Sequence, residues 1–304
     1  MSSKTSSSRT APGSLPPALP ISKSIPIAQR VIVVALFGNG ESSSPSNALG
    51  FPKTVDYRDC VHAQHKLITS HLKIASIDVV VGFSMGGQCA YYWTLMYPNL
   101  VRNAVIICSS ARTSRHNYQF LEGPKAALQN AIDYVDKDRM SAVPPSTVSR
   151  GVHAFGKAYS AWLTSSEWFE QQAYRSIGYP TLGDWDRATT EANYVGWHPD
   201  DLLAMLHMWQ NGDIATLVGS DHRDSEDDPL RKALSQVRAR VLLLPCQTDQ
   251  YFRWEASKRE AEWLPNGTFK VIPSIWGHIA GGGSNETDNK WLDQAIAEFL
   301  HMQT

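Results

Sequence analysis

The chain has 304 residues, of which 42% are hydrophobic, and this is enough to bury the core of one α/β domain with or without an insertion. Its formal net charge is −1, which gives no indication of a nucleic acid or an anionic membrane surface as a partner. No apolar run is long enough to cross a bilayer, so we expect a soluble protein without a membrane span.

The four cysteines occur singly within apolar segments and never in C-x-x-C spacing. Isolated thiols of this kind are typical of a reduced intracellular protein, whereas metal sites and disulfide frameworks need clustered or paired cysteines. We therefore expect no metal, no structural disulfide and a cytoplasmic location. The cysteines are Cys60, Cys89, Cys108 and Cys246.

Residues 1–27 are rich in serine and proline and contain no acidic residue. Because the segment has few apolar side chains and no periodicity, burial cannot offset the entropy lost on ordering, and we predict a disordered tail. The basic, serine-rich composition leaves an organelle transit peptide open, although no amphipathic arginine-bearing helix is evident.

The next segments alternate between strand and helix patterns. The run VIVVALF at 31–37 predicts a buried parallel strand, and the apolar spacing over 56–72 predicts a helix. A second apolar run at 79–81 precedes a dense apolar helix that ends at Tyr97, and 104–108 reads as a further strand. Strand and helix in alternation predict a parallel sheet with right-handed crossovers.

The sequence Gly82-Phe-Ser84-Met-Gly86 between the second strand and its helix matches the G-x-S-x-G nucleophile elbow. A serine on this strained turn faces the positive end of the following helix, so Ser84 is the candidate nucleophile. The N–H of Met85 is the candidate oxyanion donor. We expect a Cβ at either Gly82 or Gly86 to obstruct the turn.

Strand patterns stop between residues 112 and 236, which we predict to be a helical cap inserted into the sheet domain. One helix is well delimited, with Pro199 at its start and Gly212 at its stop. Tryptophans recur through the insertion. They favour either an aromatic pocket above the site or ordinary packing of the same helices, and the sequence leaves both open.

The alternation resumes after the insertion, with strands predicted at 241–244 and 269–272 and helices at 255–263 and 288–302. The fold class is therefore α/β, with a mostly parallel sheet, helices on both faces and a helical cap. We divide the chain into a tail (1–27), a sheet domain (28–111 and 237–304) and a cap (112–236).

A serine hydroxyl needs a base and a buried acid to become a nucleophile, and in this fold they follow the serine in the order acid, then histidine. Asp249 follows the strand at 241–244 and His278 follows that at 269–272, so both belong to the same edge of the sheet as Ser84. The competing residues lie in the insertion, where no strand precedes them. They are His198, His207, His222, Asp221, Asp224, Asp227 and Asp228.

This arrangement predicts an acyl-enzyme mechanism on an ester, a thioester or a similar small acyl substrate, with no cofactor. Ser84 attacks, His278 moves the proton, Asp249 orients the imidazole and Met85 N–H binds the oxyanion. The alternative is a degenerate paralogue that binds a small molecule without turning it over. The sequence leaves the oligomeric state and the choice between hydrolysis and acyl transfer open.

Several motifs together resemble the homoserine O-acetyltransferase-like branch of the α/β-hydrolase fold, over residues 31–304. They include FGNGESSSPSN at 37–47, GFSMGGQ at 82–88, SSARTSRHN at 109–117, TDQYF at 248–252 and PSIWGHIAGG at 273–282. The resemblance implies an α/β-hydrolase fold and assigns nucleophile, acid and base to Ser84, Asp249 and His278. It also implies hydrolases of secondary-metabolite and toxin pathways as relatives.

Two departures from the branch bear on function. The resemblance implies that homoserine acetyltransferases carry an aspartate directly after the catalytic histidine, where it holds the substrate ammonium. This chain has Ile279 at that position, which argues against homoserine as acceptor. The resemblance also implies three strands before VIVVALF, and the loop after the third would donate a second oxyanion N–H. We therefore expect a bare sheet edge and a shortened N-terminus, with a rate cost of about 10²–10³ unless the loop 38–40 substitutes.

Overall fold

The computed structural model describes residues 30–134, 149–189, 194, 196–219 and 227–301, and the side chains of Asp227 and Asp228 are not described. The predicted tail at 1–27 lies outside these residues. The strands are β1 (Ile77–Phe83), β2 (Val101–Ile107), β3 (Arg240–Leu244) and β4 (Gly267–Phe269). The α-helices are α1 (Tyr57–Lys66), α2 (Met85–Met96), α3 (Arg115–Gln129), α4 (Ser149–Ser160), α5 (Ser166–Glu170), α6 (Leu182–Arg187), α7 (Pro199–Gln210), α8 (Asp227–Leu234), α9 (Trp254–Trp263) and α10 (Glu286–His301).

Shorter helical turns connect these elements. One π-helical turn, Leu67–His71, extends α1, so the helix predicted over 56–72 is confirmed almost in full. The 3₁₀ helices are Ala173–Ile177, Ile214–Val218 and Gly277–Gly281. Within the described part of the chain, no helix is long and apolar enough to cross a membrane.

The four strands form one parallel sheet in the order β1-β2-β3-β4. Successive residues of the inner strands face opposite sides of the sheet. On one face Ile106 and Leu243 pack among α1, α2 and α8, and on the other Ile107 and Leu242 pack against α10. Helices on both faces of a parallel sheet are the predicted architecture, and this α/β prediction is confirmed.

The predicted strand at 31–37 is wrong. The segment has no regular secondary structure and no described strand pairs with it, and Val31 and Val33 are 63% and 91% exposed. A strand forms only where another backbone accepts its hydrogen bonds, and the only described neighbour of β1 is β2. Among the described strands, β1, which leads into the elbow, therefore lies at one edge of the sheet.

The strand predicted at 269–272 lies earlier in the chain, at Gly267–Phe269, and the pairing beyond it is an isolated bridge between Cys246 and Ile272. Pro245 explains the short pairing, because it has no N–H to donate to the neighbouring strand. The chain continues alongside through a bond from Ile272 N to Pro245 O of 2.8 Å. The later residues thus stay beside β3 and reach the same edge.

The four cysteines are buried, as predicted, and all four are free thiols. Burial raises the pKa of the Cys60 thiol to about 11, so it stays protonated at neutral pH. Burial likewise raises the pKa of the Cys108 thiol, and the nearby Asp249 carboxylate adds to the effect. These thiols behave as apolar core groups.

Candidate active site

The nucleophile elbow occupies the turn between β1 and α2. Ser84 is half-buried and has the positive φ of 55° that this strained turn requires. Its N–H donates to the carbonyl of Ile107 at 3.0 Å, which ties the turn to the end of β2. Met85 begins α2, so its N–H has no carbonyl partner within the helix.

The glycines of the turn have different roles from those predicted. A Cβ on Gly82 would lie 2.0 Å from the carbonyl oxygen of Gly86, so only glycine fits at Gly82, as expected. A Cβ on Gly86 would meet nothing within 4 Å, and the prediction for this residue is wrong. The second tight position is Gly87, where a Cβ would lie 2.5 Å from that of Ser109. G-x-S-x-G spacing alone does not identify this contact.

The structure brings Ser84, His278 and Asp249 together in one hydrogen-bonded line. His278 Nε2 lies 2.9 Å from Ser84 Oγ, and His278 Nδ1 lies 2.9 Å from Asp249 Oδ2. Asp249 and His278 are buried, with side chains 0% and 5% exposed. With Nδ1–H donating to the carboxylate, Nε2 is free to accept the hydrogen of the serine hydroxyl. The line therefore has the geometry that proton removal from Ser84 requires.

The acid is held by its own turn. Asp249 Oδ1 accepts hydrogen bonds from the backbone N–H groups of Tyr251 (2.8 Å) and Phe252 (3.1 Å), which leaves Oδ2 for the histidine. The rings of the same two residues lie 4.6 and 5.5 Å from the His278 ring. One short segment thus orients the carboxylate and encloses the imidazole. The motif TDQYF contains both aromatic residues, but their contact with the histidine is visible only in the structure.

The histidine lies on the 3₁₀ helix Gly277–Gly281. Gly277 has a φ of +60°, and a Cβ there would lie 2.5 Å from the backbone of Thr164. The histidine loop and the segment that precedes α5 are therefore in close backbone contact. Ile279 N donates to Leu163 O at 3.2 Å. The Gly277 N–H donates to Thr248 Oγ1 at 3.1 Å, which connects the histidine loop to the acid loop.

Two of the competing residues, His198 and His207, lie at the two ends of α7. His198 caps the N-terminus of α7, where its Nδ1 accepts from Asp200 N, and His207 lies near the end of that helix beside Asn211. His222, Asp221 and Asp224 lie outside the described residues, as do the side chains of Asp227 and Asp228.

The loop 38–40 does not offer its glycine N–H groups to the site. Gly38 N donates to Ser43 O at 2.9 Å, and Gly40 N donates to Ser44 Oγ at 2.7 Å, so both are used within their own loop. The loop is also fixed to α7, because Asp201 accepts from Ser46 N and Oγ. These two N–H groups are therefore already used by other acceptors, and the source of a second oxyanion donor stays open.

The tryptophans between β2 and β3 pack in different parts of the core. Trp168 and Trp185 pack with Trp276 in the core on the α10 face, which is ordinary packing. Trp209 stacks on Phe252 at 5.5 Å, and Phe252 lies beside His278, so this tryptophan belongs to the aromatic surroundings of the site. The alternative of ordinary packing thus holds for Trp168 and Trp185, and the aromatic pocket stays a prediction.

A family model described as the alpha/beta hydrolase fold matches residues 12–281. The chain belongs to the α/β hydrolase fold family. The residues described above thus lie in a fold that esterase and acyltransferase relatives share, and the resemblance inferred from the motifs is confirmed.

Three relatives illustrate where this α/β hydrolase lies within the family. It is 31% identical over 275 residues to ethyl acetate hydrolase from Pseudomonas veronii, a match that covers 89% of this chain and 76% of that protein. The solved acetylester hydrolase from Corynebacterium glutamicum superposes with a TM-score of 0.80 at 25% identity, covering 88% and 75% of the two chains. Homoserine O-acetyltransferase from Methanococcoides burtonii is 27% identical over 239 residues, which cover 76% of this chain and 47% of that protein.

Proposed function

We propose that this α/β hydrolase cleaves small acetyl esters through an acyl-enzyme. Ser84 is the nucleophile, His278 the general base, Asp249 the acid that orients it, and Met85 N–H an oxyanion donor. The observation that carries the proposal is the continuous line from Ser84 Oγ through His278 to Asp249, with both hydrogen bonds at 2.9 Å. A serine on this turn that is hydrogen-bonded to a buried imidazole, which in turn contacts a buried carboxylate, is suited to nucleophilic attack.

The chemistry proceeds in two halves. Ser84 Oγ attacks the ester carbonyl carbon while His278 Nε2 takes the hydroxyl proton, and the carbonyl oxygen gains the charge that Met85 N–H stabilises. The C–O bond to the alcohol then breaks, the alcohol leaves with the proton from His278, and an acetyl-serine remains. Water attacks this intermediate by the same route, releasing acetate and restoring the hydroxyl of Ser84.

Hydrolysis is favoured over transfer by the residue beside the base. Ile279 lies at the position where the resemblance implies an aspartate in the related acetyltransferases. Its side chain is partly buried and packs against the core on the α10 face. An apolar side chain offers no charge to an ammonium-bearing acceptor such as homoserine. The names of the esterase relatives support a small acetyl group as the acyl part.

The helices between β2 and β3 form the cap of this proposed site. Tyr159 and Trp209 contact the ring of Tyr251 at 5.8 and 5.6 Å, and Tyr251 in turn contacts His278. A cap of aromatic rings limits the size of the acyl group and excludes water from the charged intermediate. The expected role in secondary metabolism stays a prediction.

The proposal is tested with a fluorophosphonate probe and an acetyl ester such as p-nitrophenyl acetate. We expect the wild type to be labelled and to hydrolyse the ester. Ser84→Ala abolishes labelling, and Ser84→Ala and His278→Ala each lower kcat by about 10⁴-fold or more. Adding homoserine leaves the rate of ester consumption unchanged and yields no acetylated homoserine.

Other results would support the rival functions. If the folded wild type is not labelled by the probe and binds esters without cleaving them, the protein is the degenerate paralogue that only binds a small molecule. Acetylated homoserine or another acetylated alcohol as the main product identifies an acyltransferase. Thermal unfolding of each variant is the control, because the substituted side chains must not have prevented folding.

A further inference from the structure

Glu260 on α9 is a buried acid that the proposed chemistry does not use. It is 3% exposed. Its Oε2 accepts a hydrogen bond from the Tyr91 hydroxyl at 2.7 Å, and its Oε1 accepts one from the backbone N–H of Ala111 at 2.9 Å. A buried carboxylate is tolerated only when such bonds satisfy it. This one therefore joins α9 to α2 and to residues 108–113, which we call the β2 loop.

The β2 loop reaches the nucleophile directly. Ser109 Oγ donates to the carbonyl oxygen of Ser84 at 2.7 Å, and the Ser109 side chain lies so close to Gly87 that no Cβ fits between them. Ser257, one turn before Glu260 on α9, donates to the Ser109 carbonyl at 3.4 Å. The helix α9 thus holds the β2 loop at two points, and the loop holds the elbow.

This arrangement links the two ends of the hydrogen-bonded line. The helix α9 begins at Trp254, five residues after Asp249, so the element that follows the acid also fixes the backbone of the nucleophile. A serine at φ 55° keeps this conformation only while its surroundings determine it. The bonds to Tyr91, which lies on the helix that Ser84 begins, and to Ala111 act on the two elements next to the serine.

We propose that Glu260 is a positioning residue for Ser84: by fixing the β2 loop and α2 on α9, it holds the hydroxyl where His278 reaches it. The proposal rests on the nucleophile role proposed for Ser84. It explains why a carboxylate occupies this buried position, since removal leaves the Ala111 N–H without an acceptor and frees the loop behind the elbow. A displacement of about 1 Å at a reacting group costs about 10²-fold in rate.

The test compares Glu260→Gln and Glu260→Met with a matched control, Gln64→Met. The Gln keeps both bonds, because its oxygen accepts from Ala111 N and its amide group donates to the Tyr91 oxygen. Gln64 is also a buried acceptor for α2, since its Oε1 accepts from Trp93 Nε1 at 2.8 Å, but it does not touch the β2 loop. The readouts are the rate of fluorophosphonate labelling at Ser84, kcat and KM for p-nitrophenyl acetate, and thermal unfolding.

We expect Glu260→Met to lower the labelling rate and kcat by about 10–100-fold with KM changed less than about twofold, and Glu260→Gln to stay within about threefold of the wild type. Gln64→Met is expected to lower the melting temperature while its labelling rate stays at the wild-type value. If Glu260→Met labels as fast as Gln64→Met, or if Glu260→Gln is as slow as Glu260→Met, the proposal is wrong.

A smaller change covers the case in which Glu260→Met does not fold. Ser109→Ala removes only the bond to the Ser84 carbonyl, and we expect a labelling rate about 5–20-fold below wild type in a folded protein. A wild-type rate in Ser109→Ala would overturn the link from loop to elbow. Labelling that persists in Ser84→Ala would instead contradict the nucleophile role itself, so the two failures are distinguishable.

Discussion

Strands β1 and β3 both lead into the site at their C-terminal ends, and both are apolar, but neighbouring structure covers them very differently. β3 lies between β2 and β4, and four of its five residues are buried. β1 lies at the edge of the sheet, and only Gly82 among its seven residues is buried. Position in the sheet thus decides burial, while the tight turn at the end of β1 is also held from outside the strand, by hydrogen bonds to Ile107 and Ser109.

The largest effect should come from the turn on the exposed strand. We expect Gly82→Ala to abolish activity and to cost more than about 4 kcal/mol in the free energy of unfolding, because its Cβ would lie 2.0 Å from the Gly86 carbonyl oxygen. Gly86→Ala is the matched control, with free space around its Cβ and a helical position that favours alanine. Chemical denaturation measures both. Equal losses of stability in the two variants would contradict the steric restriction at Gly82.

The inner and outer strands should differ in the cost of losing an apolar side chain. Leu242→Ala on β3 removes a side chain that is 0% exposed and should cost about 3 kcal/mol. Val79→Ala on β1 removes a partly buried one and should cost about 1 kcal/mol or less. The midpoints of urea denaturation at equal slopes give both values. A cost at Val79 as large as that at Leu242 would mean that more structure covers β1.

The buried acid behind β2 predicts a pH dependence of stability. Burial raises the pKa of Glu260 to about 7, against the lowering influence of Tyr91, Ala111 N, Arg259 and Arg112. The folded protein therefore keeps a proton that the unfolded chain releases, and its stability falls as pH rises from about 4.5 to 7, by up to about 3 kcal/mol.

Glu260→Gln is the variant that tests this dependence, because glutamine does not titrate. Denaturation at several pH values should show the stability of the wild type relative to Glu260→Gln declining across this window. A constant difference from pH 4.5 to pH 7 would show that the carboxyl group does not keep its proton on folding.

The smallest effect is expected where the sequence predicted a buried strand. Val33 is 91% exposed, so Val33→Ser should change the free energy of unfolding by less than about 0.5 kcal/mol. The same denaturation measurement applies. A loss above about 1.5 kcal/mol would indicate that the segment at 31–37 pairs in a sheet after all.

These contrasts explain what the sequence could and could not predict. The convergence of Ser84, Asp249 and His278 was predictable, because each follows an apolar run that leads to the same edge of a parallel sheet; the roles assigned to them stay predictions. Burial of VIVVALF was not, because a β-branched run specifies an extended backbone but not the partner that pairs with it. Glu260 was also missed, since a single acid on a helix shows its role only once Tyr91 and Ala111 lie beside it.

The central claim is tested most directly by trapping the acyl-enzyme. The wild type is mixed with p-nitrophenyl acetate, quenched in acid within one turnover and digested. The mass of the peptide that contains Ser84 is then measured by mass spectrometry. We expect one acetyl group on Ser84, none in Ser84→Ala and a strongly reduced amount in His278→Ala. Ester hydrolysis at the full wild-type rate with an unmodified Ser84, or with acetyl on another residue, would contradict the account.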